Sequence, residues 1–148
     1  MKQITEKMKK KRIACLVLLV LGLQLISAQT ELEGITSTLM DYIEGTANGE
    51  PDRVKRAFHP ELNLYSIRND SVNVWYGQDY TGGISDGKKS NRIGRIVSID
   101  YENDAAMAKI EILMPNAKRV YTDYLMLLKY QGRWTIIHKS YTYVNYPE

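Results

Sequence analysis

The chain has 148 residues, a formal net charge of +3, 25% charged residues and one cysteine; that length holds one domain and not comfortably two. The basic excess belongs to residues 1–28, where six basic side chains and one acidic one give +5, so the remaining 120 residues carry −2. That remainder has no basic footprint for nucleic acid and, with the only cysteine at Cys15, no route to a disulfide or a thiolate zinc site.

Residues 1–28 read as a cleavable signal peptide. Lys2, Lys7, Lys9, Lys10, Lys11 and Arg12 form a basic opening, an apolar run follows from 13 to 26, and Ser27 and Ala28 are small. The run is short for a membrane-spanning helix, which needs about 20 apolar residues. The expected product is an exported protein, periplasmic or secreted, cut after Ala28. It touches a membrane only through the signal segment; the competing reading is an uncleaved anchor.

After the cut, Thr30 and Glu33 have the spacing of a capping box. Leu32, Ile35, Leu39, Tyr42 and Ile43 then recur at helical spacing, which predicts an amphipathic helix over 31–47, ended by Asn48-Gly49. Pro51 suits a first helical turn, and Val54, Ala57 and Phe58 give a short second helix its apolar stripe. His59-Pro60 ends that helix, because a residue before proline is pushed out of the α region.

Beyond it the hydrophobic period changes to two. Leu62 and Leu64 begin a first strand, Asn69-Asp70 turns the chain, and Val72, Val74 and Tyr76 make a second. Residues 77–90 are polar and glycine-rich and read as a loop with one short helical turn. Strands follow over 93–101, 106–114, 120–130 and 134–146, separated by Asn103-Asp104, Pro115-Asn116 and Gln131-Gly132. Helices first and a strand meander after imply an α+β domain with helices on one sheet face. The late strands carry apolar residues at both parities: Leu125 and Leu127 alternate with Tyr124, Met126 and Leu128. One face should meet the helices, and a second copy of the chain is the simplest cover for the other, giving a homodimer.

This order resembles the nuclear transport factor 2-like superfamily, and the local wording resembles its putative lumazine-binding branch. The opening helices carry Tyr42-Ile43-Glu44-Gly45, Asn48-Gly49-Glu50-Pro51 and Ala57-Phe58-His59-Pro60. The closing hairpin carries Asp123-Tyr124-Leu125-Met126-Leu127-Leu128-Lys129 and Gly132-Arg133-Trp134-Thr135-Ile136-Ile137, with Lys139. The resemblance spans nearly all of 31–145 and is poor over 77–90. It implies a cone-shaped, cystatin-like fold, with N-terminal helices packed on a bent antiparallel sheet of about six strands that encloses a pocket. Relatives of this kind bind small molecules or act as isomerases, dehydratases and cyclases, so the fold does not choose the function.

Eleven tyrosines and two tryptophans stand against one phenylalanine. Such side chains pair a flat apolar face with a polar tip and suit a ring-shaped, aromatic or apolar ligand. Tyr42, Trp75 and Tyr80 are pocket candidates from the first helix, the second strand and the rim after it; Phe58 and Trp134 complete the aromatic set. His59 either faces the ligand or stabilises its own turn. His138 shares strand parity with Trp134 and Ile136 and points to the pocket if that face is the inner one. Asp123, in a strand of buried-type residues, needs a partner or a shifted pKa. It is either an acid–base group, with His138 across the hairpin, or half of a salt bridge with Lys139 or Arg95. No nucleophile elbow, phosphate loop or metal motif is present, and no cofactor is implied. The expected function is an exported small-molecule-binding protein; the alternatives are an isomerase- or dehydratase-type enzyme working through Asp123 or His138, and a ligand-free accessory module.

Overall fold

The structure, a computed structural model, describes residues 29–146. The signal segment expected over 1–28 lies outside the described residues. The chain divides into two compact units, Met1–Glu33 and Gly34–Glu148. In the first, the described residues are helical, and Gln29 Nε2 donates to Glu33 Oε1 at 3.4 Å. Helix already covers residue 29, so Thr30 sits inside the helical run and the expected capping box is not its start. The second unit holds the sheet, the core and the candidate site.

Helix α1 covers residues 29–48. From Gly34 onward its buried stripe is Ile35, Leu39, Tyr42, Ile43 and Thr46, the 3.6-residue period that the sequence announces. Gly49, at φ 70°, stops the helix in the left-handed conformation that spares a glycine the Cβ clash. The exposed carbonyls at this end are met from the irregular segment before β3: Ser90 N–H donates to Ala47 O at 2.7 Å and Gly87 N–H to Gly49 O at 2.8 Å. Helix α2, Pro51–Ala57, follows with proline in its first turn. Phe58, expected as the last residue of this helix, is instead extended and opens strand β1, Phe58–Arg68. Pro60 lacks the N–H that a continuing helix would use, and the preceding residues extend early.

The remaining elements are β2 Ser71–Tyr76, α3 Gly77–Gly82, β3 Ile93–Glu102, β4 Ala105–Met114, a 3-10 turn Pro115–Ala117, β5 Arg119–Tyr130 and β6 Arg133–Asn145. Two hairpins close through paired left-handed residues, Asn69-Asp70 and Gln131-Gly132, as two-residue turns that match strand twist require. The six strands form one sheet in the order β2-β1-β6-β5-β4-β3. Four of the five pairings are antiparallel; β1 and β6 run parallel, so the sheet is mixed at the junction between the early hairpin and the late meander.

Irregularities bend the strands where the regular ladder breaks: one between Ile96 and Ser98 in β3, and one in β6 opposite Met126 and Leu127. The helices pack on the inner face. Gly94 lies directly beneath α1, where an added Cβ would stand 2.4 Å from Ile43 Cγ2. The core gathers Ile35, Leu39, Ile43, Val54, Leu62, Ile110, Leu125, Leu127 and Ile136, all nearly or fully buried. On the other face of the sheet Met107, Tyr124, Met126 and Leu128 are exposed. The two parities of β5 thus divide as the sequence requires, Leu125 and Leu127 inward and their neighbours outward. No helix of the described residues is long and apolar enough to cross a membrane.

Candidate functional site

The inner face is not fully filled. A cavity of about 200 Å³ opens between α1, α3 and the sheet. Its wall takes Tyr42 from α1, Leu64 from β1, Trp75 from β2 and Tyr80 from α3. Arg92 comes from just before β3, Ile112 and Met114 from β4, Tyr121 and Asp123 from β5, and Lys139 and Tyr141 from β6. The aromatic members brace one another: the Tyr80 ring meets Trp75 edge-on at 5.0 Å and Tyr42 at 6.5 Å, and Tyr121 lies 6.2 Å from Tyr141.

At the floor stands a polar cluster. Asp123 is fully buried, and its Oδ2 accepts hydrogen bonds from the Tyr42 hydroxyl and from Lys139 Nζ, both at 2.8 Å. Lys139 Nζ also donates to the Tyr42 oxygen at 2.6 Å, which closes a three-membered ring of contacts. Tyr80 OH approaches Tyr42 OH at 3.5 Å. The ammonium lies over the rings of Tyr42, Tyr141 and Tyr80 at 4.9, 5.1 and 5.6 Å, contacts that return part of what desolvation costs. Burial, with the Asp123 charge beside it, pushes the Tyr42 phenol well above the ordinary tyrosine range, so it stays protonated and donates. Asp123 Oδ1 is buried with no hydrogen-bond partner. A buried ion pair adds little net stability, and an acceptor left open is a cost. The arrangement is better suited to meeting another molecule than to holding the fold.

Chain geometry accounts for this cluster. Asp123 pairs with Tyr141 and Leu125 with Lys139 across the β5/β6 ladder, so Asp123, Lys139 and Tyr141 share the inner face. His138 does not. Leu127 pairs with Ile136 but Met126 pairs with His138, leaving Ile137 as an extra residue that reverses the alternation. His138 therefore leaves the parity of Trp134 and Ile136, stacks on Tyr65 at 4.9 Å and 17°, and lines a separate groove with Tyr124 and Met126. The His138–Asp123 pair does not form; the Lys139 salt bridge does, while Arg95 pairs with Glu111.

Of the other candidates, Tyr42, Trp75 and Tyr80 line the cavity. Phe58 lies behind it, packed 4.9 Å from Tyr42 and 5.9 Å from Tyr80. His59 is outside it: Nδ1 accepts the Glu61 N–H at 3.2 Å, a bond within its own turn, and the ring meets Tyr130 edge-on at 5.5 Å. Trp134 is buried at the start of β6, where its carbonyl accepts from Thr38 Oγ1 at 2.9 Å and its ring lies so close to Gly34 that an added Cβ there would stand 3.0 Å from it. Sequence reasoning missed Arg92, Tyr121 and Tyr141 and gave Lys139 only as a salt-bridge partner. A lysine in the same hairpin as a buried-type aspartate, two ladder steps from it, was the signal available.

The profile of the putative lumazine-binding family matches residues 30–142. An aldolase of Cladobotryum sp, FrzH, is 25% identical over 117 residues, covering 76% of this chain and 90% of that protein. A nuclear transport factor 2-like protein of unknown function from Shewanella baltica OS155 superposes with a TM-score of 0.68 at 24% identity, covering 80% of this chain and 96% of that one. One from Methylobacillus flagellatus KT, also of unknown function, gives 0.65 at 24% identity over 76% and 90% of the two chains. A cystatin-like protein from Burkholderia xenovorans LB400 gives 0.59 at 15% identity, over 78% and 92%. These superpositions establish the nuclear transport factor 2-like, cystatin-like α+β fold, and the profile match establishes that the chain belongs to the putative lumazine-binding family.

Proposed function

We propose that this chain is an exported small-molecule-binding protein whose ligand is a flat, ring-containing compound held in the cavity above Tyr42, Asp123 and Lys139. The observation that carries this reading is the joining of aromatic walls to a buried cluster in which one carboxylate oxygen has no hydrogen-bond partner. The family description, which concerns lumazine, a fused-ring molecule, supports the same class of ligand. Mass spectrometry of the protein under non-denaturing conditions should find a retained ring compound, and Trp75→Ala together with Tyr80→Ala should lose it. Retention by the double variant equal to wild type would sink the assignment. Export by a signal cut after Ala28 is part of the proposal; the N-terminus of the protein recovered outside the cytoplasm should be Gln29. So is a homodimer formed through the exposed outer sheet face.

A second reading is favoured by Asp123 Oδ1 and by the relative named as an aldolase. In it the carboxylate removes a proton from the carbon beside a ligand carbonyl. The Tyr42 hydroxyl and the Lys139 ammonium stabilise the oxyanion that forms. His138, on the far side of the sheet, has no part in this chemistry. Proton–deuterium exchange at that carbon, followed by NMR, should be abolished in Asp123→Asn and unchanged in His138→Ala. Exchange that survives Asp123→Asn removes the enzymatic reading and leaves binding untouched.

A further inference from the structure

The cavity carries a charge that the polar cluster does not use. Asp123 and Lys139 cancel each other. Arg92, immediately before β3, adds a guanidinium to the wall, and its Nε is buried without a hydrogen-bond acceptor. The site is therefore net positive, while residues 29–148 together carry −2. A positive site in an otherwise mildly acidic stretch selects the sign of what enters.

We infer that the ligand is an aromatic carboxylate, with Arg92 holding its acid group. This rests on the small-molecule reading above and names the substrate class for the same site. The Arg92 fork presents parallel N–H groups matched to the two oxygens of a carboxylate. The tyrosine and tryptophan walls take a planar ring. A cavity of about 200 Å³ suits one ring or a fused pair, since an enclosed apolar cavity of roughly 150 Å³ accommodates benzene. A hydroxyl or carbonyl on the ring would reach Lys139 or Asp123 while the acid stays at the rim.

The test is calorimetric titration of the purified protein with benzoate, salicylate and 2-naphthoate, each against its neutral amide of the same shape. At least one acid should bind about tenfold or more tightly than its amide, the discrimination a desolvated charge pair supplies. Arg92→Gln should bring acid and amide to within about threefold of each other without weakening the amide, and Arg92→Lys should fall between, because it keeps the charge and loses the fork. Equal binding of acid and amide by the wild type overturns the inference and leaves the small-molecule reading standing. An Arg92→Gln variant that weakens acid and amide alike also overturns it, since that marks a packing role. Binding of neither series up to about 1 mM also overturns it, while the retained-ligand measurement above decides the small-molecule reading separately.

Discussion

The Tyr42 hydroxyl ties the site together, accepting from Lys139 and donating to Asp123. Tyr42→Phe keeps the ring and removes both bonds, so it should cost about 1–3 kcal/mol, as a buried polar group left unsatisfied does; a denaturant midpoint equal to wild type would contradict the contacts described. Asp123→Asn leaves Lys139 charged and unpaired and should cost more, about 3–5 kcal/mol, whereas Asp123→Leu with Lys139→Met should recover most of it. The phenol also sets an alkaline limit. Its folded pKa is raised by burial and by the Asp123 charge, so the native state holds this proton while the unfolded chain releases it near pH 10. Its contribution to stability is complete below that pH and lost as the pH rises toward the folded value. Unfolding followed at 295 nm should show a fall in stability above pH 10 that Tyr42→Phe reduces. Asp123 was legible in the sequence because a lone carboxylate in an apolar strand needs an explanation. Lys139 and His138 were not separable, because the unpaired Ile137 breaks the strict alternation by which a face is counted along the strand from Trp134.

Elements were read more securely than side-chain directions. Hydrophobic period, turn pairs and proline position placed all six strands and both early helices to within a few residues. The failures lie at element ends: Phe58 went to β1, where Pro60 already extends the chain, and Thr30 lies within helix rather than at its start. One feature of the α1–α2 corner escaped the sequence because its partners lie about twelve residues apart. Asp41 receives Arg53 Nε at 2.7 Å and Arg56 Nε at 2.9 Å, and Arg53 also reaches Glu44 and Glu50. Burial raises the Asp41 carboxyl, but hydrogen bonds from Arg56 and Arg53 outweigh it and hold it below its ordinary value. The stabilisation is present above the unfolded pKa, near 3.9, and is lost as the pH falls through the folded one. Asp41→Asn should cost about 1 kcal/mol at neutral pH and little at pH 2, read from urea midpoints at both. Helix-to-sheet packing is tested at Gly94: valine there drives its side chain into Ile43 and should cost about 1–3 kcal/mol. Adding Ile43→Ala should recover part of that loss.

For the molecule as a whole, the outer sheet face is the feature that stays apolar and exposed among the described residues. Met107 is 59% exposed, Tyr124 52%, Met126 47% and Leu128 42%, neighbouring apolar side chains on one sheet face of the kind that marks an interaction surface. Light scattering should find a dimer, and Met126→Glu with Leu128→Glu should give monomers with the cavity intact. A wild-type monomer at high concentration would count against the assembly. The fold was legible because layers and topology follow from patterns many residues long. The cavity was less so, because eight separate segments contribute to it and no sequence window contains it.

The extra residue in β6 has a consequence for how this pocket is specified. Ile136 and His138 keep their partners, Leu127 and Met126, whether or not Ile137 stands between them. Deleting it would therefore leave every lining side chain on its present face and remove only the local bend. The side chains that line the pocket and the residue that bends the strand beside it are different ones, so one can be altered without editing the other. A single residue gained or lost at this point of the strand changes its bend, while Asp123 and Lys139 keep the faces their ladder partners give them.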